Sequence, residues 1–145
     1  MSEGTHPDLV LAFDLGRRRI GVASGNLRTL TASPVTTLER TSDVPWTKLD
    51  ALVAEWRPGR LIVGVPEGSA GPTSIAAEAR TFAASLAKRY GLPVETVDEA
   101  LTSAAAAAEL AEGRRSGRIR RRTRKAQIDE RAACLIAEQW MSETI

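Results

Sequence analysis

The sequence lacks most of the features that would point directly to a function. Its 145 residues hold one cysteine, Cys134, and one histidine, His6. No intramolecular disulfide can form, and the soft-ligand sets that hold zinc are excluded. No apolar run approaches the roughly 18 residues that a membrane-spanning helix needs. Aromatic residues make up only 4% of the chain, too few for extensive base stacking, so any grip on nucleic acid has to be mainly electrostatic. There is no internal repeat and no linker dividing the chain. No cationic-then-apolar leader opens it, so the expectation is a cytoplasmic protein with no membrane attachment.

Net charge is also small, +2, but it is unevenly placed. Residues 114–125 hold eight of the twenty basic side chains and no acid, leaving twelve cations against eighteen carboxylates elsewhere. A mildly acidic body with one concentrated cationic segment predicts a localised contact with a polyanion. With 43% apolar and 26% charged residues the composition is globular. A chain of this length can bury roughly two-thirds of its unfolded surface, sufficient for one core. Residues 1–8, polar with Gly4 and Pro7, read as a flexible leader, and 9–145 as a single domain.

Leu9–Phe13 is an unbroken apolar run ending in Asp14-Leu15-Gly16, the pattern of a central strand covered on both faces. Ile20–Ser24 and Val35–Leu38 read as two more strands, with turn residues near Gly25-Asn26 and Ser33-Pro34. Pro45 opens a helix through Trp56, with Leu49, Leu52, Val53 and Trp56 at helical spacing, and Pro58-Gly59 stops it. Leu61–Val65 is a second buried-type strand. After a Gly/Pro/Ser loop a helix runs to about Tyr90, closed by Gly91, and Val94–Val97 forms the last strand. An alanine-rich helix over Leu101–Glu112 and, after the basic segment, a helix over about Ala126–Ser142 complete the chain. The order βββαβαβαα predicts an α/β fold: a mixed five-stranded sheet, three antiparallel strands followed by parallel ones, with helices on both faces.

Carboxylates on apolar structure are the informative residues, because a buried charge costs several kcal/mol unless it is paired or binds a metal. Asp14 ends the first apolar run; its ordinary explanation is a turn Asp at the Gly16 bend. Asp129 falls within roughly 40° of Ala133, Ile136 and Trp140 on the final helix. The helix dipole could account for a first-turn charge there, but not for the apolar face it shares. Asp98 and Glu99 close the last strand, with Thr102 at the start of the next helix. One acid of that pair can cap the helix while the other points into a cleft, and Glu99 is taken as the inward member, with Asp98 and Thr102 as secondary candidates. Oxygen ligands from three separate elements suit Mg²⁺ or Mn²⁺, and one or two such ions can activate water against a phosphodiester.

Four fragments, in order, carry a resemblance. They are Ala12-Phe13-Asp14-Leu15-Gly16 through Arg19-Ile20-Gly21-Val22-Ala23; Ile62-Val63-Gly64-Val65-Pro66; Gly91-Leu92-Pro93-Val94 leading to Val97-Asp98-Glu99-Ala100-Leu101-Thr102; and Arg124-Lys125-Ala126-Gln127-Ile128-Asp129-Glu130-Arg131-Ala132-Ala133. From about Leu9 to Met141 the chain resembles the YqgF (RuvX) family of the RNase H-like superfamily, described as Holliday-junction-resolvase-like and as pre-ribosomal-RNA nucleases. The resemblance implies an RNase H-like fold and a catalytic, metal-binding set of Asp14, Glu99 and Asp129. It implies a nuclease acting on ribosomal RNA precursors. The alternatives are a resolvase of branched DNA, which would act as a homodimer, and a non-catalytic nucleic-acid adaptor. Ala100 stands where the family usually has Arg. For phosphate contacts the candidates are Arg17, Arg18 and Arg19 beside Asp14, and Arg114, Arg115, Arg118, Arg120, Arg121, Arg122, Arg124 and Lys125 of the basic segment.

Overall fold

The apolar run after Asp8 becomes the centre of a sheet. In a computed structural model, described at residues 4–41, 43–66, 71, 74–98 and 124–144, five strands and three helices are placed. They are β1 (His6–Leu15), β2 (Arg19–Asn26), β3 (Thr31–Glu39), α1 (Trp46–Trp56), β4 (Pro58–Val65), α2 (Ile75–Tyr90), β5 (Val94–Asp98) and α3 (Arg124–Thr144). The strand order is β3-β2-β1-β4-β5. β1–β2 and β2–β3 pair antiparallel, while β1–β4 and β4–β5 pair parallel. This is the mixed sheet that the sequence predicts.

Alternation along β1 divides the core. Leu11, Phe13 and Leu15 face one way, into a cluster with Leu49 of α1 and Phe82 and Leu86 of α2. Val10 and Ala12 face the other way, onto Ile136, Ala137, Trp140 and Met141 of α3. Among the described residues no helix is long and apolar enough to cross a membrane. The predicted helix over 101–112 lies outside the described residues.

The boundaries differ from the sequence reading where apolar side chains are scarce. β1 begins at His6, whose N–H donates to the Arg57 carbonyl at 2.7 Å, so residues 6–8 join the sheet through backbone pairing alone. β3 spans Thr31–Glu39 with Pro34 inside it. An edge strand tolerates a residue without an N–H, and the β2–β3 register shifts between Val22 and Ala23. The turn between these strands lies at 27–30 rather than at Gly25, with the Asn26 side-chain oxygen accepting from the Arg28 N–H at 2.8 Å. α1 ends through Arg57 in a left-handed conformation, φ 48°, and Pro58 opens β4 instead of merely stopping the helix.

α2 is capped by Ser74, whose side chain accepts from the Ala77 N–H at 3.1 Å, and closes, as its sequence predicts, at Gly91, φ 66°. Its last turn is tied to α1. Arg89 donates to both oxygens of Asp50, at 2.8 and 2.7 Å, and the Tyr90 hydroxyl donates to Asp50 at 2.6 Å. The Arg89 and Tyr90 hydrogen bonds lower the Asp50 carboxyl from 3.8 to about 2. A carboxyl depressed in the folded state stabilises it above the unfolded value, and that contribution disappears as pH falls through the folded value. Asp50→Asn should therefore melt below the wild type at neutral pH, with the gap closing as pH falls from 3.8 to about 2. Because Asp50 is solvent-accessible, the gap should be small and should shrink with salt. Melting curves across that range check it.

Candidate active site

One row of residues crosses the sheet on the α3 side: Val97 of β5, Gly64 of β4, Asp14 of β1, Gly21 of β2 and Thr37 of β3. Asp14, half-buried, therefore has a glycine as its register partner on each neighbouring strand. A glycine inside a strand marks a place where something approaches the backbone closely. At Gly21 that something is α3. A Cβ built on Gly21 would lie 2.1 Å from the Asp129 carbonyl oxygen and 3.0 Å from the Asp129 Cβ. Asp129 is thus laid directly over the strand residue paired with Asp14.

The close approach follows from small residues on both surfaces. β2 presents Gly21, Ala23 and Gly25 to α3, which answers with Ala133 and Ala137. A Cβ on Gly25 would lie 3.4 Å from that of Ala137 and 2.9 Å from the Val10 side chain. Polar contacts then fix the rotation of α3 about its axis. Near one end Arg19 Nε donates to Asp129 Oδ2 at 2.7 Å, and Thr37 Oγ1 donates to Glu130 at 3.0 Å. Towards the other end Trp140 Nε1 donates to Glu95 at 3.1 Å, and Arg60, paired with Glu95, stacks 5.5 Å over the Trp140 ring.

α3 starts at Arg124, and its first turn contains no acid. Asp129 therefore lies beyond the first turn, which removes the helix dipole as the explanation for its charge. The Asp129 carboxylate is 22% exposed and the Arg19 side chain 33%, so their ion pair is partly shielded from solvent.

The hairpin that carries Asp14 and Arg19 is braced from the opposite side. Arg40, 6% exposed, donates Nε to the carbonyls of Gly16 and Arg17 at 2.8 and 3.1 Å and Nη2 to Glu78 at 2.7 Å. Glu78 also accepts from Arg17 at 2.9 Å. A buried guanidinium must satisfy its donors, and here the turn carbonyls do so, which fixes the end of β1.

The structure thus brings Asp14, Asp129 and Arg19 together and places Arg17 and Arg18 on the adjoining turn. Asp98 is carried to the other side of the sheet. Val97 packs on the α3 face, so the next residue in β5 points away from Asp14. Glu99, Thr102, Arg114, Arg115, Arg118, Arg120, Arg121 and Arg122 lie outside the described residues. Arg124 and Lys125 form the start of α3. Among the described residues no three His, Cys, Asp or Glu side chains are grouped as a metal site. Sequence reasoning missed Gly21, Gly64, Thr37, Arg40 and Glu78. The glycines had a readable signal, each interrupting an apolar strand; the Arg40–Glu78 brace had none.

A central strand ending in an acid, an antiparallel hairpin on one side, a parallel pair on the other, and a second acid delivered by a helix from the far end of the chain define a class, the RNase H-like fold. The same architecture occurs in T. thermophilus RuvC in complex with Holliday junction substrate, at TM-score 0.59 and 16% identity over 96% of this chain and 98% of that one. The Fowlpox virus resolvase with Holliday junction DNA matches at TM-score 0.56 and 9% identity, covering 94% of this chain and 99% of the other. At such identities the likeness is one of fold. The family described as "RuvX: Holliday junction resolvase" matches residues 8–143, and the chain belongs to it. A relative from Azotobacter vinelandii, named as a pre-16S rRNA nuclease, is 41% identical over 140 residues, 94% of this chain and 95% of that protein. One from Legionella pneumophila with the same name is 40% identical over 139 residues, covering 92% and 95%.

Proposed function

We propose that the protein is a divalent-metal-dependent nuclease that cleaves ribosomal RNA precursors in the cytoplasm, with Asp14, Glu99 and Asp129 as its catalytic carboxylates. The observation that carries this reading is the placement of Asp129 over Gly21, the register partner of Asp14. Two acids 115 positions apart in the chain share one face at the end of the central strand. A protein with no use for them would bear their desolvation and repulsion for nothing. Glu99 is taken as the third because Asp98, its neighbour, belongs to the opposite face.

Nucleases of this class generally use divalent metals. The donor set fits a hard cation, since it consists of carboxylate oxygens with no thiolate or imidazole among them. Bound there, Mg²⁺ or Mn²⁺ supplies an activated water and a counter-charge for the leaving oxygen of the phosphodiester. Arg19 orients the Asp129 carboxylate and adds a cation beside it. The Arg40–Glu78 brace keeps Asp14 at a fixed depth. Arginines of the basic segment hold the phosphates flanking the cleaved bond, contacts that position a strand without reading its sequence.

Branched DNA is the competing substrate, supported by the likeness to resolvases seen with Holliday junctions. That activity calls for a homodimer presenting two sites. Matched cleavage assays on a precursor rRNA fragment and a four-way DNA junction, with Mg²⁺ and with Mn²⁺, separate the two; the expected result is faster cleavage of the RNA. Binding should weaken with salt at a logarithmic slope of about −0.7 per phosphate contact for single strands and about −0.9 for duplex. Replacing Arg114, Arg115, Arg118, Arg120, Arg121 and Arg122 with Gln should flatten that slope by several phosphate equivalents. An unchanged slope removes the segment from the substrate site.

A further inference from the structure

The turn joining β1 to β2 and the first residue of β2 carry three arginines in succession, and the fold gives each a different task. Arg17 donates to Glu78 at 2.9 Å and Arg19 to Asp129 at 2.7 Å. Arg18, between them, is exposed. Its carbonyl accepts from the Arg40 N–H at 2.9 Å, while its guanidinium has no ion-pair partner among the described residues. With Glu39, Arg40 and Thr41 these arginines line a pocket of about 450 Å³. The walls are preset. Arg40 is locked onto the turn carbonyls and Glu78, Glu78 serves two guanidiniums at once, and Arg19 is held by Asp129. Four cations and one carboxylate, Glu39, line the pocket, and three of the cations are engaged by Glu78 and Asp129 outside its lining.

We propose that this pocket is a phosphate-binding subsite for the nucleic-acid strand, with Arg18 as the ligand that closes on the phosphate and the Thr41 hydroxyl as a second donor. The proposal rests on the nuclease reading above and extends it to where the strand passes beyond the acids. The guanidinium fork matches two phosphate oxygens. Arg17 and Arg19 would have to break ion pairs to reach a phosphate; among the described residues Arg18 has none to break. Its backbone is pinned through its carbonyl, so the side chain swings from a fixed point. Arg19 lines the pocket and also contacts Asp129, so the subsite and the acids share a wall. A phosphate held here sets the distance between a strand's anchor and its reacting bond.

The test is a binding titration in EDTA, where neither metal nor cleavage intervenes, using a fluorescein-labelled single-stranded RNA and, separately, a labelled four-way DNA junction. Arg18→Ala should weaken binding about tenfold, the scale of one charge-assisted contact, and reduce the salt slope by about 0.7 to 0.9, one phosphate. Glu39→Gln, which removes a carboxylate from the pocket wall, should tighten binding. Arg28→Ala removes the same charge from the turn at the other end of β2 and should leave affinity unchanged. Loss with one probe identifies the source of the phosphate and supports the subsite. Loss with neither, or an equal loss in Arg28→Ala, overturns it. The nuclease reading fails separately: if the folded Asp14→Asn variant still cleaves, the acids are misassigned whatever the pocket binds.

Discussion

Asp14→Asn should leave a folded protein whose divalent-dependent cleavage has fallen on the order of a thousandfold, the scale of removing a charge that acts on the transition state. The substitution keeps the shape and hydrogen-bonding reach of the side chain and removes only its charge. Gly64 and Gly21, its register partners, contribute no side chain that could take over. The Arg19–Asp129 pair, at 2.7 Å, does not include Asp14 and should remain in place. Thermal stability should stay level or rise, because two like charges on one face no longer oppose each other. Mn²⁺ affinity measured by calorimetry should fall more than tenfold. Melting temperature, metal titration and cleavage on the same preparation separate the cases. A well-folded variant that cleaves at the wild-type rate would falsify the catalytic assignment.

Gly21→Ala should be the most damaging single-methyl change in the sheet. Its Cβ would lie 2.1 Å from the Asp129 carbonyl oxygen and 2.4 Å from the carbonyl carbon. These are backbone atoms, so no side chain can rotate out of the way. Either α3 lifts from β2 or the strand bends. Overpacking of this kind costs about 1–3 kcal/mol or more, a melting-temperature loss of roughly 4–10 °C. The same displacement carries Asp129 away from Asp14, so cleavage should fall by more than the unfolded fraction explains. Gly91→Ala is the control. Gly91 has positive φ, 66°, and nothing within 4 Å of an added Cβ, so it should lose about 1 kcal/mol of stability and keep full activity. If Gly21→Ala melts and cleaves as the wild type does, the close packing of α3 does not position the acid.

Apolar patterning made the strands and helices legible, and its failures are local. β1 and β4 were readable because both are buried on two faces. β3 extends beyond the Val35–Leu38 that apolar patterning marks because it is an edge strand in which only Leu38 is buried. Gly25 looked like a turn because a glycine needed for close helix packing and one needed for a bend are the same residue type. Asp14 and Asp129 could be singled out because a charge on an apolar face is costly wherever the partner lies. Arg17, Arg18 and Arg19 were indistinguishable. Their separate roles depend on Glu78 and Asp129, which lie 61 and 110 positions away from the arginines they hold.

By itself the sequence determined which of the described segments become strands and helices, which of them are covered on both faces, and which acids stand where a charge is expensive. Those properties follow from the order of apolar and polar groups along a few turns of chain, and local physics reads them directly. Only the tertiary structure decided that α3 lies close enough to β2 to set Asp129 over Gly21. It alone sent Asp98 to the far side of the sheet and left Arg18 as the arginine of the turn with no ion pair among the described residues. Such outcomes depend on steric fit and ion pairing between residues distant in the chain, and no short stretch of sequence contains both partners.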